Sequence, residues 1–542
     1  MIRYADVVII GGGCTGLGVA RDLTLRGLKV ILLEQEDLAH GATGHFHGLL
    51  HSGGRYVVSD PISARECCAE NSILRRVAAA CIEDTGGYFV ATAHDDPAYE
   101  AEFLAGCRAV GIPVEEISPA EARRQEPYLT PHLRRAFVVP DAAIDGFDLV
   151  RANARAIVEG GGEVWTHHRA IGLDAQNGRV RGVRVQDTLN GEEAAIRCAF
   201  VVNAGGAWAG QVAKLAGVEL ELILSKGTMI IVNHRWANHV LNRCRHPDDG
   251  DILVPAKQVC IIGTTAITVE NAEQTAVEPH EIAEMLDAGE ELMPGFKMVR
   301  FLRAYAGLRP LYQEKKAPSS DARDVTRGYF VLDHEARDGV KGFISVVGGK
   351  LTTYRKMAED VADLVCRKAG IHQPCRTADV PLPGSEGWAD ARQIASEYGL
   401  PLYTVQRLVH RHSANIHRVL ADVKANPALK SHICLCEPVI EAEIRYCVRQ
   451  QWVRTLNDLR KRTRLGTGPC QGMGCTLKAA AILADELGAD LSYARRQVEE
   501  FLQERWSGRR PVLGGMQLAQ EELARAYYQC LSDFRDTETR HG

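Results

Sequence analysis

The chain is predicted to be an α/β protein built on a parallel sheet, with further short strands between the sheet-forming segments and a separate cysteine-bearing region near its end. Three observations predict this. Apolar strands running into glycines and then helices recur through the first two-thirds, short strand-like segments fall between them, and four cysteines gather near the C-terminus.

The length of 542 residues suits about three to four domains. Sixty-four basic against 69 acidic residues leave a net charge of −5, so a general nucleic-acid binder is not expected. No apolar run approaches the roughly 18–20 residues that span a bilayer. The opening "VVII" is short and leads directly into a glycine motif, which reads as a first strand rather than a signal peptide. A reducing, cytoplasmic location follows as an expectation, with no structural disulfides among the sixteen cysteines. Cys67, Cys81, Cys107, Cys198, Cys244, Cys260, Cys366 and Cys530 stand alone and read as small buried hydrophobes.

"ADVVIIGGGCTGLGVARDLTLRGLKVILLEQ" reads as strand, glycine turn, helix and strand. Gly11 allows a tight turn, Gly13 lets the backbone approach a pyrophosphate, and Gly16 lets helix and strand pack closely. The helix N-terminus then faces phosphate charge. Glu34, ending the second strand, would accept from the adenosine ribose hydroxyls and disfavour a 2′-phosphate. Dinucleotide binding is therefore expected, with Cys14 a filler in the loop.

Further segments decide between FAD and NAD. "DLAHGATGHFHGLLHSGGRY" is a loop dense in small and polar residues that suits a flavin pyrophosphate and ring, with Thr43, Gly48 and Leu50 as contacts. "FVVNAGGAWAG" brings Ala204 and Gly205, and "GFISVVGGKLTTYRKMAEDVADLV" brings Gly349, Lys350, Thr352 and Thr353. Helix N-termini drawn from three distant segments suit a ligand as long as FAD.

The segments "DVVIIGGGCTGLGVARDLTLRG", "HGLLHSGGRY", "VVNAGGAW", "AYAGLRPL" and "GGKLTTYR" together resemble the flavin-dependent glycerol-3-phosphate dehydrogenases, over about residues 4–365. That family is similar to the D-amino-acid and glycine oxidases. The resemblance implies a Rossmann-like FAD-binding domain (1–368) with FAD segments at about 1–90, 140–215 and 330–368. The antiparallel β substrate domain would be inserted at about 90–140 and 215–330, where "MIIVNH", "DILVPA" and "VCIIGTT" read as strands.

Oxidising a secondary alcohol with a flavin requires a pocket that fixes the substrate and a base that takes the hydroxyl proton. A phosphate dianion calls for arginine, whose fork matches its oxygens. The resemblance assigns this task to Arg55 and Arg309, and gives Lys350 and Thr352 flavin or substrate oxygens to hold. His51 is the candidate base, and Tyr56 a hydrogen-bonding partner. One position departs: Met229 follows Thr228 where single-subunit relatives tend to place His, so that edge of the pocket is not carried over.

Cys434 and Cys436, then Cys470 and Cys475, form C-x-C and C-x4-C pairs. Four thiolates can hold a zinc ion or a [2Fe–2S] cluster. Neither pair has the usual zinc spacing, and "RTRLGTGPCQG" resembles the small helical bacterioferritin-associated-ferredoxin-like (BFD-like) [2Fe–2S] domain, at about 431–485. Arg462 and Arg464 would then offset the cluster's negative charge. A Pro/Gly-marked linker with helices (369–430) precedes it, and amphipathic helices (486–542) follow.

FAD domain and cysteine domain in one chain resemble the large catalytic subunits of anaerobic, respiratory glycerol-3-phosphate dehydrogenases. That resemblance implies oxidation of sn-glycerol 3-phosphate to dihydroxyacetone phosphate, with electrons reaching quinone. It also implies two partner subunits, a second flavoprotein and an iron–sulfur membrane anchor. Peripheral association with the inner face of the membrane would follow, and FMN at a subunit junction, although no residue demands FMN. Two alternatives stay open: a dehydrogenase of another hydroxy or amino acid such as 2-hydroxyglutarate, and a non-catalytic electron-transfer scaffold.

Overall fold

Val7–Ile10, Val30–Leu33 and Phe200–Asn203 are short runs in which every position is buried, the pattern of strands covered on both faces. In the computed structural model, which describes residues 2–313 and 328–532, they form the middle of a six-stranded sheet. Its order is Glu163–Trp165, Val30–Leu33, Val7–Ile10, Phe200–Asn203, Phe343–Gly348 and Tyr329–Asp333. All neighbours are parallel except the last pair. The helix Cys14–Leu25 packs against both Gly146–Glu159 and Tyr354–Ala369.

Two glycines set how closely these pieces approach. A Cβ on Gly16 would lie 2.0 Å from the Gly11 carbonyl oxygen. Gly11 itself has φ +122°, and a Cβ there would lie 2.3 Å from the Ala204 carbonyl oxygen. The glycine turn, its helix and the end of the neighbouring strand therefore meet backbone to backbone, which no other residue permits.

The expected substrate domain is a nine-stranded sheet. Its strands come from 87–139 and from Ile223–Val232 onward to Phe301–Leu311. Val240–Arg243 runs parallel to Gly87–Thr92, where the two inserted segments join, and the strands flanking that junction pair antiparallel, from Ile223–Val232 to Ile267–Val269 on one side and from Gly87–Thr92 to Leu133–Val139 on the other. The final part of the second insertion, residues 314–327, lies outside the described residues, as do 533–542 of the C-terminal helical segment.

The described residues divide into two compact units, one drawn from Met1–Arg300 and Tyr305–Ser385, the other from Phe301–Ala304 and Glu386–Gly542. The segment read as linker is thus split. Its first part belongs to the flavin unit: Leu382 is fully buried and its amide donates to the Val77 carbonyl, while buried Arg21 donates to the Val380 carbonyl. Its second part folds with the cysteines. Val405, Leu408 and Ile416 pack with Ile440 and Ala442 in one core, and buried Glu443 takes Arg411 and His412 at 2.6 and 2.7 Å. The helices Leu491–Arg509 and Gly515–Ser532 join the cysteine core through Phe501 and Tyr528.

Gly16→Ala is expected to cost about 3 kcal/mol or more, because the methyl would collide with the Gly11 carbonyl and has the Ala204 Cβ within 3.3 Å on its other side. A thermal melt read alongside bound-flavin absorbance checks this. A variant as stable and as yellow as the parent would refute the close-approach account.

Candidate active site

Glu34 shows how the glycine turn prepares its site. Its carboxylate accepts from Gly12 N at 2.7 Å and from Glu36 N at 2.9 Å. The carboxylate is thereby fixed beside the turn, facing a cavity of about 850 Å³, a volume usual for small-molecule and cofactor sites. Gly11, Gly13 and Glu34 line one stretch of this cavity, Thr43, Ala204 and Gly205 another, and Gly349, Lys350 and Thr352 a third. His51, Arg55, Tyr56 and Arg309 line it as well.

Four residues expected at the cofactor do not line the cavity. Gly16 is taken up by the backbone crossing. Gly48, at φ +87°, turns its carbonyl to Ile144 N. Leu50 is fully buried in a strand paired with Ala142, and its carbonyl receives Asn71. Thr353 is buried with its hydroxyl on the Lys350 carbonyl at 3.2 Å. Each sits behind the wall and shapes it.

The cavity fits a flavin dinucleotide on its own evidence. The Thr352 hydroxyl is buried on the cavity wall with no hydrogen-bond partner in the protein, a polar atom that calls for a ligand. Gly349, at φ +79°, lies where a Cβ would collide with the Met357 sulfur. The turn after Phe343–Gly348 therefore presents backbone, and not a side chain, to the cavity.

The polar residues are held from behind. Arg309 donates to Ser225 Oγ at 3.2 Å, to the Thr265 carbonyl at 3.1 Å and to Thr264 Oγ1. Gly227 makes room for it, since a Cβ there would lie 2.5 Å from the guanidinium. Thr265 is anchored in turn: its hydroxyl donates to Glu281 Oε1 at 3.1 Å, and Glu281 is ion-paired with Lys226 at 2.9 Å. Both members of that pair are buried, so Arg309 stands on a rigid support that no motif announced. Arg55, by contrast, faces buried Asp251 at 3.3 Å, which offsets part of its charge. Lys350 Nζ lies 4.8 Å above the Tyr56 ring.

Three histidines of the loop part company. His45 Nδ1 meets the Gly41 carbonyl at 3.1 Å and its ring lies edge-on to Tyr305. His47, which sequence reasoning passed over as a site residue, lines the cavity together with His51. Burial, with Arg309 and then Arg55 nearby, pushes His47 down to about 3. Burial, with Lys350, His47 and Arg55, does the same to His51. Both rings are neutral at physiological pH. His51 Nε2 lies 3.9 Å from Cys67 Sγ and its ring packs edge-on to Tyr56, while Nδ1 is buried without a protein partner.

In the other unit the four expected cysteines come together in two pairs. Cys436 Sγ lies 3.5 Å from Cys470 Sγ. Cys434 is pulled down to about 6, chiefly by a hydrogen bond from Cys475. Cys475 is pushed up, chiefly by its hydrogen bond to Cys434, with the charges of Cys434, Cys470 and Cys436 adding to it. Among the described residues no three metal-binding side chains converge as ligands of one ion. Paired sulfurs in mutual reach fit a two-iron centre, which takes two thiolates on each iron. Gly468 lies against Cys436, where a Cβ would come within 2.4 Å of the Cys436 Cβ, and Gly466 and Gly472 admit the Phe501 ring beneath the loop. Arg462 is buried with Nε on the Gln451 carbonyl, and buried Arg505 is within electrostatic reach of Cys470.

Residues 6–355 match the family described as FAD dependent oxidoreductase, and residues 375–493 that described as the C-terminal domain of alpha-glycerophosphate oxidase. The chain is 43% identical over 533 residues to one subunit of the anaerobic glycerol-3-phosphate dehydrogenase of Escherichia coli K12, covering 98% of this chain and 97% of that one. To the counterpart of that subunit in Haloferax volcanii it is 44% identical, covering 96% and 90%. The chain belongs to this family of anaerobic glycerol-3-phosphate dehydrogenase subunits. Among solved structures, the glycerol-3-phosphate dehydrogenase from Bacillus halodurans complexed with FAD shares the fold at a TM-score of 0.74 and 21% identity, over 94% of this chain and 96% of that one. Membership makes the chain an FAD-dependent oxidoreductase. Among the described residues no helix is long and apolar enough to cross a membrane.

A histidine whose folded pKa is depressed adds stability that is complete above its unfolded value of about 6.5 and is lost as pH falls towards about 3. His51→Gln is therefore expected to flatten the fall in unfolding free energy between about pH 6 and pH 4 by about 1.4 kcal/mol per pH unit. Denaturant midpoints of the flavin-free protein across that range measure it, and an unchanged slope would contradict a neutral His51.

Proposed function

We propose that this protein oxidises sn-glycerol 3-phosphate to dihydroxyacetone phosphate and passes the electrons through a [2Fe–2S] cluster to partner subunits and on to quinone. The observation that carries the reading is one cavity whose wall joins the dinucleotide-binding glycines to two guanidiniums and two neutral histidines. The names borne by the full-length relatives from E. coli and H. volcanii support it.

Bound in this cavity, FAD would supply the hydride acceptor for the substrate carbon. The chain's own residues do the rest. Arg309, braced by Ser225, Thr264 and Thr265, holds the phosphate, and the field of Arg55 adds to it. With the His51 Nε2 proton directed at Cys67, the lone pair on Nδ1 takes the hydroxyl proton as the C–O bond becomes a carbonyl. Tyr56 and Lys350 close the wall beside His51. Cys434, Cys436, Cys470 and Cys475 would hold the cluster, which would supply one-electron chemistry. Partners of the kind expected from the sequence, a second flavoprotein and an iron–sulfur membrane anchor, would receive those electrons and bring the chain to the membrane surface.

Anaerobic addition of sn-glycerol 3-phosphate is expected to bleach the flavin of the isolated chain, while 2-hydroxyglutarate does not. Arg309→Ala should keep its flavin yet lose about a hundredfold or more in kcat/KM. Failure of the parent to bleach would favour the scaffold reading, and bleaching by 2-hydroxyglutarate alone would favour another substrate.

Protein prepared without air should carry about two irons per chain and absorb beyond the flavin bands. Cys436→Ser is expected to lower both. Stoichiometric zinc in place of iron would overturn the cluster assignment and leave the dehydrogenase reading standing.

A further inference from the structure

We propose that His47 binds the substrate, donating its Nε2–H to a phosphate oxygen held between Arg309 and Arg55. The proposal rests on the functional reading above and adds to it a residue that the motif resemblance did not assign.

The geometry begins in the backbone. Leu49 N donates to His47 Nδ1 at 3.2 Å, and Leu49 is itself fixed in the short strand paired with Ala143. An Nδ1 that accepts leaves the ring proton on Nε2 in the neutral form. The ring is half-buried and lines the cavity. Both arginines press on its titration, so it lies in the field of both and remains an uncharged donor. An anion drawn to these two guanidiniums comes to rest where that donor is within reach.

The opposite wall explains why the donor comes from this loop. A Cβ on Gly263 would lie 3.6 Å from His47 Cδ2 and 2.9 Å from Met229 Cγ. Gly263 thus leaves space for Met229 and only touches the imidazole, and Met229, buried there, offers no proton. His47 and His51 then divide the work: one presents a proton, the other a lone pair.

The test uses the full-length, flavin-loaded protein, with sn-glycerol 3-phosphate as substrate and inorganic phosphate as competing anion. Turnover by the parent is read first, because its absence would sink the functional reading and not this inference. His47→Leu and His47→Phe are expected to raise KM and the inhibition constant for phosphate together, by about tenfold, with kcat within about threefold of the parent. His47→Gln, which keeps an N–H, should recover most of both. Unchanged constants in the apolar variants would overturn the proposal, as would a fall in kcat at constant KM. Loss of flavin from both apolar variants with retention in His47→Gln would also overturn it, by assigning the ring to the cofactor.

Discussion

Gly11, Gly16 and Ala204 occupy a place where three backbone segments touch. With a methyl excluded at both glycines, the first helix can start close to the sheet and the end of Phe200–Asn203 can run past the turn. Everything on the near side of the cavity inherits its position from that contact. Glu34 takes Gly12 N because the turn brings that amide to the end of its own strand. Thr43 accepts from Cys14 N at 3.1 Å and so ties the following loop to the helix start. The loop that carries His47, His51, Arg55 and Tyr56 is therefore anchored at its beginning to the same point.

Charge organises the far side. Arg309, Arg55 and Lys350 lie around the two histidines and, with burial, keep both rings neutral. Two uncharged imidazoles follow from one arrangement. The arrangement is sustained from outside the cavity, by the buried Lys226–Glu281 pair under Thr265 and by Asp251 under Arg55. Removing one member of such a buried pair leaves an uncompensated charge, so these supports are as demanding as the residues they serve.

The parallel sheet is legible in the sequence because "VVII", "KVILL" and "FVVN" are runs whose burial on both faces requires them to be apolar throughout. The glycine positions are legible because backbone approach admits no substitute. Arg309 and His51 stand out only through motif resemblance, since spacing alone does not distinguish them from surface arginines and core histidines. Glu281 and Lys226 leave no signal: they lie 55 residues apart on a strand and a helix, and pairing at that range is a property of the fold. The boundary of the cysteine unit differs from the expected one for a related reason. The segment at 386–430 carries helical apolar faces, but only the fold reveals that Ile440 and Ala442 cover them. Glycines in a loop read most simply as tight turns, whereas Gly466 and Gly472 give space to Phe501 from a helix about 30 residues further on.

Cys436 and Cys470 come from segments 34 residues apart and stop with their sulfurs 3.5 Å apart. Neither is fully buried. Two thiols so placed have a reaction of their own, since removal of two electrons would join them. Given a two-electron acceptor, this closeness would let the pair close into a disulfide, and any group held on both sulfurs would shut that route.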